Sequence, residues 1–381
     1  MPCRLTSRGR AELSETSHSA PPAQAWPARC AVPVPNSRQA RLGASRWGWS
    51  RWARSLVNPG IVTWSLAAWG ILGVVGAGPC WAQQPVEPVS FQQAGVTQVW
   101  KAYAGRLTFG RGQTLALVDD GCDLSKPEWQ ARVDDRPKVL VSYDSVDLDS
   151  DPRHEGKGYH GTTIGIPSSV NHDGRWGVAY NNQVAVIRAL ECCHCNVRDS
   201  QTLAKGLEWI IEHHREYHIT TVNLAPVDDL EHAEPVPTEI DKPLARLREL
   251  GIWVSAPAGN HDFRNGISWP ACQPNCFAVG AVRPGSDEVY LDRHQKLDLL
   301  VPAAATSSSN AVLCGGVMLL REAIEQTRYD WRQHAANLPE AMLKVLQQTG
   351  VPVTDKATGR AHRRLDLKQA IDHVFAQPGK P

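Results

Sequence analysis

The sequence predicts an α/β domain: a mostly parallel sheet with helices on both faces, three layers in all. Short runs of β-branched and small apolar residues alternate along the chain with segments of helical spacing. These runs are apolar throughout instead of alternating with polar residues, the pattern of strands buried on both faces. No internal repeat or low-complexity linker divides the 299 residues from Gln83 to Pro381, so a single large domain accounts for them.

Composition bounds the rest. With 42% apolar residues the chain has the material for a full core, which excludes wholesale disorder. Its 40 basic and 39 acidic residues nearly cancel. Without a dominant positive field to hold a polyanion, nucleic acid is not an expected partner.

In chain order, residues 1–82 read as a basic leader and signal peptide. Residues 1–58 carry nine Arg, no Lys and only two acidic residues, Glu12 and Glu15. No charge occurs between Arg54 and Glu87, and inside that stretch Ile61–Ala77 reads IVTWSLAAWGILGVVGA. A positive segment, an apolar core and the small residue closing Cys80-Trp81-Ala82 have the layout of a secretory signal, with cleavage expected after Ala82. Seventeen apolar residues also sit at the short end of a membrane span, so the alternatives are membrane association through an uncleaved anchor at residues 61–77, or a buried core helix. Export, extracellular or periplasmic, is therefore expected, with a membrane-anchored protein as its alternative. Residues 83–96 follow as a short linker, 97–376 as the folded domain and 377–381 as a tail.

Within the domain, Thr114–Val118, Val184–Ala189, Thr220–Leu224, Ile252–Ala256 and Cys276–Val282 are the expected buried strands. Thr202–His214 and Pro243–Leu250 have helical spacing, Val312–Leu320 forms an apolar small-residue helix, Leu338–Gln348 is amphipathic, and a last helix runs to Phe375. A sheet of this kind gathers ligands outside the carboxyl ends of its strands, so the polar residues just past those ends are the informative ones.

Four such positions stand out. The strand LALV runs into Asp119-Asp120-Gly121, where a carboxylate could do chemistry or simply cap a turn. His160-Gly161-Thr162-Thr163 opens an apolar stretch, and a histidine there could equally lie on the surface. Pro257-Ala258-Gly259-Asn260 follows the strand IWVSA; Gly permits a tight turn and Asn offers an amide donor, although turns favour both residues in any case. Ala305-Thr306-Ser307-Ser308-Ser309 runs straight into the apolar helix, where serines commonly act as N-caps but where free N–H groups also stabilise developing negative charge.

Taken together, an acid, a histidine, an amide donor and a serine in that order resemble the subtilisin-like serine peptidases, the subtilase family. The family's Asp-Ser/Thr-Gly is matched by Asp119-Asp120-Gly121, its His-Gly-Thr-His by His160-Gly161-Thr162-Thr163, its Ala-Ala-Gly-Asn by Pro257-Ala258-Gly259-Asn260, and its Gly-Thr-Ser by Ala305-Thr306-Ser307. Segments between the motifs extend the likeness over roughly residues 97–372, among them Gly177-Val178-Ala179, Ser268-Trp269-Pro270-Ala271 and Leu297–Pro302. The resemblance implies a subtilisin-like three-layer fold and a serine endopeptidase acting on protein or peptide substrates through an acyl-enzyme. It implies Ser307 as nucleophile, His160 as general base, Asp119 as its orienting acid and Asn260 in the oxyanion hole, with no cofactor needed for the chemistry. Aligning Leu313-Cys314-Gly315 with the family's Val-Ala-Gly selects Ser307 over Ser308 and Ser309. The chain departs from the pattern at Asp120, Thr163, Ala305 and Ala311, and Ala305 is expected to crowd the bend before the nucleophile. These departures keep open an alternative: a catalytically inactive subtilase-fold protein serving as an exported binding or envelope protein.

Tyr143 to His160 is similar to the kexin and furin branch, in which an acidic run before the histidine contributes to calcium binding. Asp147, Asp149 and Asp151 alternate, which in an extended segment puts three carboxylates on one side for a structural calcium; a solvated acidic loop is the other reading. Ala225-Pro226-Val227-Asp228-Asp229 is similar to that branch's acidic subsite segment, which implies Ala225, Pro226, Asp228 and Asp229 in substrate binding. Cys192-Cys193-His194-Cys195 lacks a second ligand pair at zinc spacing and reads as a disulfide-bearing loop. Cys272 and Cys276 could close a small loop or pair elsewhere, and Cys122 and Cys314 read as small buried residues. A monomer is expected.

Overall fold

A computed structural model describes residues 88–153, 160–190 and 199–379. The basic leader, the apolar segment 61–77, the cleavage position after Ala82 and the cysteine-rich segment 192–195 lie outside the described residues.

Among the described residues ten strands make one sheet. In chain order they are β1 (Thr114–Asp119), β2 (Val139–Asp144), β3 (Gln183–Arg188), β4 (Ile219–Leu224), β5 (Trp253–Pro257), β6 (Phe277–Val282), β7 (Val289–Tyr290), β8 (Leu299–Pro302), β9 (Val351–Thr354) and β10 (Ala361–Arg364). Across the sheet the order is β9-β10-β8-β6-β5-β4-β1-β3-β2, with β7 paired to β6. Neighbours are parallel except β9 with β10 and β7 with β6. The mostly parallel sheet expected from the apolar runs is thus the one that forms, each expected strand lying within a residue of its place. Strand β2 went unrecognised because it is the sheet's edge, its side chains mostly half-buried.

The helices divide between the two faces. On one face α1 (Pro88–Gln93), α2 (Val96–Ala102), α7 (Thr306–Thr327), α8 (Leu338–Thr349) and α9 (Leu367–Ala376) pack a core that includes Val96, Leu115, Val317, Leu346 and Ile371. On the other face α5 (Ser200–His213) and α6 (Asp241–Glu249) pack Leu203, Leu207, Leu244 and Leu247 against Ala116 and Val118. Successive residues of β1 therefore point to opposite cores, as side chains along a strand must, and Leu115–Val118 are all apolar for that reason. Two short helices, α3 (His160–Ile164) and α4 (Ile166–Ser169), complete the set used below.

The described part of the expected 83–96 linker is helical. Ala94 and Val96 are fully buried, and the Ala94 carbonyl accepts the Leu367 N–H at 2.9 Å, which ties this segment to the start of α9.

Topology fixes where a site can form. From β1 the chain crosses to β2 at one edge, returns to β3, and then passes β1 to reach β4 on its other side. Connections leaving β1 and β4 thus run in opposite directions, and a crevice opens at the carboxyl ends of these two neighbours.

Cys122, Cys272, Cys276 and Cys314 are all free and buried, so Cys272 and Cys276 close no loop between them. Burial pushes their thiols up to about 12 at Cys122, Cys276 and Cys314 and about 11 at Cys272, which keeps them protonated and poor nucleophiles.

Candidate active site

Asp119 is the last residue of β1 and is buried. Its Oδ1 accepts the Asp120 N–H at 2.8 Å, which orients the carboxylate and leaves Oδ2 to meet His160 Nδ1 at 2.6 Å. The histidine opens α3, and this helix can come so close to the strand end only because Gly161 lacks a side chain. A Cβ there would lie 2.3 Å from the Gly121 carbonyl oxygen. Burial opposes protonation of His160, but the charge and hydrogen bond of Asp119, helped by Asp120, outweigh it and raise the imidazole above its usual 6.5. With Nδ1 bound to a carboxylate, Nε2 is the nitrogen available to accept a proton.

Asp120 is fully buried beside this pair. Burial and the Asp119 charge push its carboxyl up to about 7, against the pull of two backbone N–H groups and His160.

Asn260 meets Thr306, the residue before Ser307, at the start of α7. Asn260 Oδ1 accepts the Thr306 N–H at 2.9 Å and the Thr306 hydroxyl at 3.0 Å. An N–H donor can only face the oxygen of the amide, so the Asn260 NH2 group points away from the helix as a free-standing donor. Gly259, before it, has φ +111, and a Cβ there would meet Asp292 Oδ2 at 2.1 Å; glycine is required on both counts. Ser307 is the second residue of α7, where a helix leaves its first N–H groups without internal partners. No side chain of Ala305 caps this end, and Ala305 itself is extended at φ −144, a conformation any residue adopts. Its methyl group therefore imposes no backbone strain at this position. Ser309 donates its hydroxyl to the Val301 carbonyl at 2.9 Å and is fully buried. α3 packs against both β1 and α7, bringing the histidine's helix to the serine's.

The acidic run behaves differently from its expectation. Asp147, Asp149 and Asp151 would share a side only in an extended segment, and the chain instead turns, with Leu148 at φ +61. Asp147 pairs with buried Arg188 at 2.6 Å, Asp149 accepts the Asp151 N–H at 2.8 Å, and Asp151 is held by Arg153 through Nε at 2.7 Å. No group of three metal-ligating side chains occurs among the described residues. With two of its three carboxylates already neutralised by arginines, this donor set does not fit calcium.

Of the expected substrate-binding residues, Ala225 and Pro226 lie at the carboxyl end of β4, where Ala225 is fully buried. Asp228 is committed internally: Oδ1 accepts the Leu230 and Trp269 N–H groups at 3.1 and 3.0 Å, and Oδ2 meets His232 at 2.6 Å. Asp229 lies 3.7 Å from His261 Nδ1. Sequence reasoning missed Thr306 as the clamp on Asn260. It also missed Asp292, which is fully buried and receives the His261 and Phe263 N–H groups at 2.7 and 3.0 Å, bracing the loop that carries Asn260. Desolvation lifts its carboxyl to about 6. Thr306 stands inside the matched Ala305-Thr306-Ser307 segment, which offered the signal; Asp292 stands in no recognisable motif.

Comparison with known proteins finds subtilisin-like relatives. The chain is 29% identical over 178 residues to proprotein convertase subtilisin/kexin type 4 of Mus musculus, covering 43% of this chain and 25% of that protein. It is 25% identical over 219 residues to an intracellular serine protease of Paenibacillus polymyxa, covering 55% of this chain and 61% of the relative. The chain thus spans less than two thirds of either relative's length. A cold adapted subtilisin-like serine proteinase of known structure shares the fold, with a TM-score of 0.51 at 18% identity over 67% of this chain and 89% of that one. The profile described as "Subtilase family" matches residues 110–349, more than half of the sequence, and the chain belongs to that family.

Proposed function

We propose that the chain is a serine endopeptidase, exported, that hydrolyses peptide bonds through Asp119, His160 and Ser307. The observation that carries this reading is the 2.6 Å contact between Asp119 and His160 at the end of β1, with the histidine's helix packed against α7, which carries Ser307 at its start. In the reading, Ser307 Oγ attacks the acyl carbon while His160 Nε2 takes its proton. Asp119 holds the Nδ1–H tautomer and stabilises the imidazolium, and the proton then passes to the leaving amine. The oxyanion is met by the Asn260 amide and the Ser307 N–H, each such donor contributing ~3 kcal/mol to transition-state stabilisation. Water enters to release the acyl group by the same steps in reverse order.

The test is covalent labelling by a fluorophosphonate probe. Labelling is expected in the parent chain, in Ser308→Ala and in Ser309→Ala, and lost in Ser307→Ala. A folded parent chain that never labels would overturn the reading and leave a silent exported scaffold in its place.

A further inference from the structure

Where the family motif carries Ser or Thr, this chain has a second carboxylate, Asp120. It does not face water. One of its oxygens accepts the His160 N–H at 2.9 Å and the other the Gly161 N–H at 3.0 Å. These are the first two N–H groups of α3, donors for which the helix has no internal acceptors. At five residues α3 is too short to hold its own shape, so its orientation depends on outside contacts. Asp119 meanwhile holds the imidazole of the same residue. Two consecutive carboxylates at one strand end therefore grip His160 at its ring and at its backbone.

We propose that Asp120 is a positioning residue, whose two-oxygen grip on the start of α3 fixes the angle at which the His160 ring meets Asp119 and the serine. This deepens the serine peptidase reading and rests on it. A hydroxyl has one oxygen for the two donors, whereas a carboxylate gives each donor its own. The absence of a side chain at Gly161 lets α3 lie against the Gly121 carbonyl, within reach of this grip.

The test compares Asp120→Ala, Asp120→Asn and Asp120→Ser by rate of fluorophosphonate labelling and, in a Ser307→Ala background, by the low-field NMR signal of the His160 Nδ1 proton. Asp120→Ala is expected to label about 10²-fold more slowly, as misplacement by an ångström does, and to lose the signal to exchange. Asp120→Asn and Asp120→Ser, each keeping an acceptor, are expected to recover part of the rate and the signal. If Asp120→Ala does not fold, the graded pair Asn and Ser against the parent decides. Labelling and signal unchanged in Asp120→Ala, or equal losses in Ala, Asn and Ser, would overturn the proposal. A parent that never labels defeats the peptidase reading alone, because the Nδ1 signal needs no turnover and still reports on the grip.

Discussion

Asn260 has two separable duties, and separating them tests the site. Its Oδ1 satisfies the first N–H of α7 and the Thr306 hydroxyl, a structural task, while its NH2 group is the proposed oxyanion donor. Asn260→Ala removes both. Loss of the acceptor resembles loss of a helix cap, about 1 kcal/mol of stability. Loss of the donor takes ~3 kcal/mol from the transition state, about a 10²-fold fall in kcat with KM little changed, because the donor acts mainly on charge that develops during reaction. Asn260→Asp keeps an acceptor for Thr306 and removes the donor, so it should retain most of the stability yet lose at least as much kcat. Thermal unfolding and peptide hydrolysis measured on both variants check the two duties separately. If Asn260→Asp stays fully active while Asn260→Ala falls, the effect follows the cap and the oxyanion assignment is wrong.

The remaining predictions concern the acid and base pair and the helix that carries the base. Because His160 is raised above 6.5 in the folded chain and must be neutral to accept a proton, kcat/KM should rise with pH through a limb lying above 6.5. Stability runs the other way. A histidine raised on folding contributes fully below its unfolded value and loses that contribution as pH climbs through the folded one. Asp120, moved from 3.8 to about 7, binds its extra proton in the folded state, so its contribution also falls with pH between those values. A pH–rate profile with its acid limb below 6.5, or a local stability that grows with pH, would contradict the assignment. Gly161→Ala places a methyl 2.3 Å from the Gly121 carbonyl oxygen, where backbone must move; labelling of Ser307 should be lost or reduced at least tenfold, and a variant that labels normally would show α3 to be free of that constraint.

Much of this molecule was written in local pattern. Strands buried on both faces must be apolar along their length, so runs such as Leu115–Val118 and Val184–Ile187 announced the parallel sheet, and its rule for ligand placement directed attention to Asp119, Asn260 and Ser307. Each of these stands at a strand end or helix start in the structure, because the elements that carry them are set by periodicity that the sequence displays openly. The helical segment from Pro88 was not legible as part of the domain, since its burial depends on α9, more than 250 residues away.

What only the folded chain decided is the direction of each carboxylate beyond the strand ends. Asp147 turns to Arg188 because Leu148 bends the segment, Asp228 turns inward to His232 and the Trp269 N–H, and Asp120 reaches the start of α3 instead of solvent. The sequence determined the fold, the order of the chemical groups and the places where they emerge. It could not determine what each acid grips, because a loop side chain is aimed by one backbone angle and by partners brought near from distant parts of the chain, and neither leaves a repeating pattern among its immediate neighbours.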